Sequence, residues 1–179
     1  MTTHLLAGTL VFLLFANFFG TQVNGWYLLL GALCGFFPDP LSYILAKTAL
    51  LNKWAHKHRD NLSHSLFLPV IAFIILAPFD VRLASMISLT LLTHPIIDLI
   101  GMGWGVMLFY PFSDKVYKLF YNGKFLTVWS LEEVDAEAEK FGNNNWIRDI
   151  YFTVFTLDPV SLSEKASLLI VIFLIACHW

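Results

Sequence analysis

Five apolar runs dominate the chain: Leu5–Gly20, Trp26–Phe37, Ser65–Pro78, Leu83–Leu99 and Ala166–Trp179. Each falls short of the ~20 residues that a perpendicular helix needs to cross a bilayer. Flanking polar residues, local thinning and snorkelling can absorb such a shortfall. The pattern therefore predicts about five short transmembrane helices, with Trp26–Phe37 equally readable as re-entrant. The first run lacks a basic n-region and a small-residue cleavage site, so it reads as a retained helix and not as a signal peptide.

Residues 100–165 read differently. Gly101–Gly105 is a flexible stretch that ends the fourth helix, and Trp104–Pro111 is short and apolar. Leu131–Lys140 is an acidic helix former with a solvated face. Asn145–Leu157 is rich in aromatics and suits the membrane interface. The expected fold is one all-α integral membrane domain over residues 1–179. Interfacial or amphipathic helices fill segment 100–165, on the cytoplasmic side.

Composition narrows the function classes. The chain is 58% hydrophobic and 13% charged, against roughly 45–50% and 25% in soluble domains. This excludes a disordered tail and argues against a soluble enzyme. A net charge of −2 offers nothing to a polyanion, so no nucleic-acid partner is expected and the lipid bilayer is. Cys34 and Cys177 stand alone in apolar runs, without a CxxC or a secreted-scaffold pattern.

Charge placement orients the chain. With all five runs crossing, ten of the eleven Lys and Arg fall in 38–64 and 100–165, and Arg82 alone falls elsewhere. The positive-inside rule makes that side cytoplasmic. The N-terminus is then inside and the C-terminus outside. Cys34 and Cys177 lie near opposite faces, too far apart for a disulfide.

The same topology gathers the polar residues. His4 opens the first helix, Asp39 follows the second, and His56, His58, Arg59, Asp60 and His64 precede the third. His94 and Asp98 occupy the last turns of the fourth, at an i, i+4 spacing that puts both on one helix face. Five of the six histidines thus converge on the inner end, and His178 falls at the other. A charged Asp inside an apolar helix costs roughly 3 kcal/mol on insertion scales unless it is paired or metal-bound. Pro95 removes a backbone donor, so a kink near the site is expected. Two readings stay open for His94 and Asp98, a hydrogen-bonded core pair or shared metal ligands. Mixed His and Asp ligands suit zinc or manganese better than calcium.

The order and spacing of these residues resemble a known family. The matching elements are Thr3-His4, Phe37-Pro38-Asp39, His58-Arg59-Asp60-Asn61-Leu62-Ser63-His64-Ser65 and Thr93-His94-Pro95-Ile96-Ile97-Asp98, followed by Gly103 to Asp114. Over roughly residues 1–115 the chain is similar to the small bacterial membrane-bound metal-dependent hydrolases, which include a LexA-binding type. More distantly it resembles zinc-dependent phospholipase C and the S1/P1 nucleases. The resemblance implies His4, Asp39, His64, His94 and Asp98 as ligands of one or two metal ions, zinc or else manganese. It implies hydrolysis of a phosphate ester at the cytoplasmic face of the bacterial inner membrane, with a phosphodiester or phospholipid headgroup as substrate. Asp39 would orient the attacking water, His58 would protonate the leaving group and Arg59 would hold the phosphate.

Two departures from the family pattern motivate a second expectation. The run Asp39-Pro-Leu-Ser lacks the acid or His that usually follows, and Asp60-Asn61-Leu62 lengthens the third motif. The alternative is a non-catalytic membrane adaptor with a structural metal site and a protein partner held through 116–165. A transporter or proton relay fits less well, because the polar residues gather at one end instead of threading the bilayer.

Overall fold

The computed structural model describes residues 2–46, 59–101, 104–140 and 159–179. Helix α1 spans Thr2–Phe18 and α2 spans Gly25–Phe36. Helix α3 spans Pro38–Ala46, and a single 3₁₀ turn covers Leu62–His64. Helices α4, Phe67–Leu76, and α5, Val81–Ile100, form the next pair. Strands β1, Val116–Tyr121, and β2, Lys124–Trp129, precede α6, Leu131–Lys140, and α7, Pro159–Cys177.

The expectation of an all-α chain with about five membrane-crossing helices is overturned. Among the described residues, one helix, α5, is long and apolar enough to cross a membrane, and residues 116–129 form an antiparallel sheet. Local stop signals explain the helix lengths. Helix α1 closes in a Schellman turn, with Thr21 N–H donating to Ala16 O at 2.8 Å and Gly20 N–H to Asn17 O at 3.1 Å. Asn24 caps α2 by accepting from Tyr27 N–H, at 3.1 Å. The polar flanks therefore cap the helices and do not lengthen them. Helix α5 runs from its Asp80 cap through Pro95 to Ile100.

The sheet follows from turn chemistry. Asn122 and Gly123 carry φ of 47° and 76°, the left-handed pair of a two-residue type I′ turn, for which Asn-Gly is the preferred sequence. The register runs from Val116 opposite Trp129 to Tyr121 opposite Lys124. Strand β1 packs Val116 against Met107 and Val134, with Trp104 and Trp129 around them. Ser130 and Glu133 close a capping box on α6: Ser130 N–H donates to Glu133 at 2.7 Å and Glu133 N–H to Ser130 Oγ at 3.3 Å.

Helix α1 packs against α2, α5 and α7. Phe12, Ala16 and Met86 form the buried centre of that packing. The C-terminal end folds onto the start of α2, where Gly25 N–H donates to His178 O at 2.8 Å and Trp179 meets Trp26 at 4.8 Å. At the other end of α2 the helix gives way to Asp39. Cys34 and Cys177 are both free thiols.

Candidate metal centre

A glycine seam builds the site. Gly8 of α1 lies against Gly31 and Gly35 of α2 so closely that a Cβ on Gly35 would stand 2.3 Å from the His4 carbonyl. Small residues four apart permit this backbone approach, and it delivers His4 to the end of α2. The start of α1 is held from α7: the buried Glu164 carboxylate accepts from Thr2 N–H at 2.6 Å and from Thr3 Oγ. Asp39 stands in the first turn of α3, directly after the seam.

Six residues predicted from sequence meet here. His4, Asp39, Arg59, His64, His94 and Asp98 are all buried, none more than 6% exposed. Arg59 pairs with Asp98 Oδ1 at 2.8 Å, and His4 Nε2 lies 3.4 Å from the same oxygen. His4 stacks on His94 with ring centroids 3.9 Å apart. His64 Nε2 is 3.5 Å from Asp39 Oδ1 and 3.5 Å from Asp98 Oδ2. His94 Nε2 is 3.4 Å and 3.5 Å from those atoms, and 3.0 Å from His64 Nε2.

The hydrogen-bond network assigns the tautomers. His94 Nδ1 lies 2.7 Å from the Gly35 carbonyl, which only accepts, so Nδ1 carries the proton. Asn61 Oδ1 accepts from Ser63 N–H at 2.9 Å and from Ser63 Oγ–H at 2.6 Å. With its hydroxyl proton committed, Ser63 Oγ accepts from His64 Nδ1 at 2.8 Å. In neutral His64 and His94 both Nε2 atoms then present lone pairs, to each other and to two carboxylates. Asp98 Oδ2 is buried without a hydrogen-bond donor, as is His4 Nδ1. Acceptors concentrated in this way need a cation among them, either a shared proton or a metal ion. The ligand atoms form two overlapping triads, His4/Asp39/His94 and His64/His94/Asp98, each with its atoms within 4.8 Å of one another.

His56 and His58 lie outside the described residues, as does the aromatic stretch 145–157. His178 lies away from the cluster and bonds Leu174 O at 2.8 Å. Sequence reasoning passed over Lys118. Its buried ammonium donates to the carbonyls of Asp98, at 3.2 Å, and Gly101, closing the C-terminal end of α5. Burial, then the nearby Arg59 guanidinium, lowers its pKa to about 8. Glu164 and the seam were passed over as well. The seam had a signal, the Gly31–x3–Gly35 spacing inside an apolar run. Glu164 and Lys118 had none, because each acts on a residue distant in sequence.

No curated protein and no solved structure matches the chain. A family model matches residues 1–177, past the 115 residues that carry the sequence motifs and through the hairpin, α6 and α7. Its description names a membrane location and no reaction: the chain belongs to the YdjM inner membrane protein family.

Proposed function

We propose that the cluster binds one or two divalent ions, zinc or manganese, and that the protein is a metal-dependent hydrolase of a phosphate ester, with its site facing the cytoplasm. The observation that carries this reading is the convergence of two imidazole Nε2 atoms and two carboxylates in one buried cluster. Their spacing fits the group. Ligand atoms about 2.0–2.1 Å from a tetrahedral zinc stand roughly 3.3–3.4 Å apart, and the five separations given above run from 3.0 to 3.5 Å.

A bound ion would supply a water with its pKa lowered toward ~7 and would polarise a phosphoryl oxygen. The chain's own residues do the rest. His64 and His94 present Nε2 because Ser63 and the Gly35 carbonyl fix their rings, the outer-shell support that ligand imidazoles usually have. Asp39, Asp98 and His4 would complete the ligand set. Asp39 would also orient the attacking water. Arg59 steadies Asp98 and offers a fixed positive charge to the phosphate. The leaving-group acid is assigned to His58. The substrate class is a phosphodiester or a phospholipid headgroup.

One observation favours a second reading. Every member of the cluster is buried, and structural metal sites are the closed ones. The protein would then be a membrane adaptor that engages a protein partner through residues 116–165. Hydrolysis separates the two. Zinc- or manganese-loaded wild type should cleave bis(p-nitrophenyl) phosphate or phospholipid vesicles, with Asp39→Ala and His94→Ala at background. A wild type that retains its metal and cleaves neither substrate sinks the hydrolase reading and leaves the adaptor.

A further inference from the structure

Outside the cluster, the feature the proposed function leaves unused is the set of exposed apolar side chains on the β1–β2 hairpin, with Leu126 and Val128 on one face and Phe125 on the other. Phe120, Phe125, Leu126 and Val128 are 63%, 69%, 48% and 46% exposed. The rings of Phe120 and Phe125 meet edge-on at 5.3 Å beside the turn. These residues are not core: the hairpin already buries Val116 against Met107 and Val134. Large apolar side chains exposed on both faces of a hairpin mark a medium that surrounds it.

The position of the hairpin says what covers it. Lys118 fastens β1 to the carbonyls of Asp98 and Gly101. The hairpin is thereby rooted at the end of α5, the described helix long and apolar enough to cross a membrane. Aromatic contacts continue from that root toward the outer face of α4. Phe109 meets Tyr117 at 5.3 Å, and Phe112 meets Phe67, the first residue of α4, at 5.0 Å. Helix α4 itself turns Val70 and Ile74 outward, 52% and 65% exposed. Lys115 and Lys124 are exposed near the start of β1 and at the turn, where ammonium groups suit anionic headgroups.

We propose that the β1–β2 hairpin is a wedge seated in the headgroup–acyl boundary of the bilayer beside α5, with Phe120 and Phe125 in lipid. The inference rests on membership of an inner-membrane family and is independent of any metal. Because the wedge and Asp98 share Lys118, it also holds the His/Asp cluster at headgroup depth.

The test places a photoreactive side chain at the tip. The full chain, with p-benzoylphenylalanine at position 125, is reconstituted in phosphatidylethanolamine/phosphatidylglycerol vesicles and irradiated. Phe125 is 69% exposed and its ring contact is with the likewise exposed Phe120, so the bulkier ring disturbs no buried packing. A reference sample carries the same group at Ile74. The expected result is an intact-mass increase of one phospholipid at both positions. Lipid adducts at position 74 with none at 125 would overturn the proposal and leave the hairpin in water. A chain–chain adduct at 125 would also overturn it, in favour of a second copy as the covering surface.

Discussion

The His/Asp cluster and the hairpin lie side by side, joined by Lys118, and are built on opposite principles. The cluster is assembled from four distant stretches of chain, and almost every contact in it is polar and buried. Its geometry depends on backbone approach between α1 and α2 and on imidazoles held from behind. The hairpin and α6 are assembled locally, from an Asn-Gly turn and a capping box, with apolar side chains left outside. Damage to the cluster should therefore spread through the fold, while damage to the hairpin module should stay near its position.

Asp98→Ala should have the largest effect. It removes the carboxylate that Arg59 meets at 2.8 Å and that three histidines approach. Removing one member of a buried ion pair costs about 3–5 kcal/mol. Thermal unfolding in detergent should show a loss of that size, and the variant should gain nothing from added zinc. Gly35→Ala comes next. A Cβ 2.3 Å from the His4 carbonyl must push α1 away from α2, an overpacking cost of about 1–3 kcal/mol. An unfolding midpoint unchanged by Gly35→Ala would mean that the seam does not hold His4 in place.

Ser63→Ala sharpens the comparison, because it leaves every proposed ligand intact. It removes only the hydroxyl that accepts from His64 Nδ1. Loss of such outer-shell partners typically weakens metal binding about 10–100-fold, and competition with a chromophoric chelator would read this. The smallest effect belongs to α6. The Ser130 N–H and hydroxyl lower the Glu133 pKa below its ordinary 4.5. A lowered carboxylate pKa stabilises the fold above the unfolded value, and that contribution is lost as pH falls through the folded one. Amide-exchange protection factors at the start of α6, taken relative to the intrinsic rate at each pH, should fall below about pH 4.5 in wild type. Glu133→Gln should flatten that dependence and leave exchange near His94 unchanged.

The two regions were not equally legible in the sequence. Residue types and spacing named the members of the cluster, because His and Asp inside apolar runs demand an explanation and His94 and Asp98 share a helix face. The tautomers were not legible, since they depend on Asn61, Ser63 and the Gly35 carbonyl meeting rings from other elements. The α6 boundaries were readable from Leu131–Lys140 alone. The hairpin went unread although Asn122-Gly123 between aromatic and β-branched residues is a strong turn signal. Aromatic, apolar stretches in a membrane chain suggest helices in the interface, and that expectation hid the period of two. The expected number of crossings failed because polar flanks were expected to lengthen the short apolar runs, whereas a Schellman turn ends α1 after Phe18 and the Asn24 cap starts α2 at Gly25.

The central claim is that His64, His94, Asp39 and Asp98 share a metal ion and not a proton. Metal content of the detergent-purified chain, measured by mass spectrometry beside a His94→Ala/Asp98→Ala double variant, tests it most directly. Wild type should carry one or two equivalents of zinc or manganese, and the variant none. A folded wild type free of metal after preparation in metal-replete medium would contradict it, and would make the cluster a proton-sharing polar network.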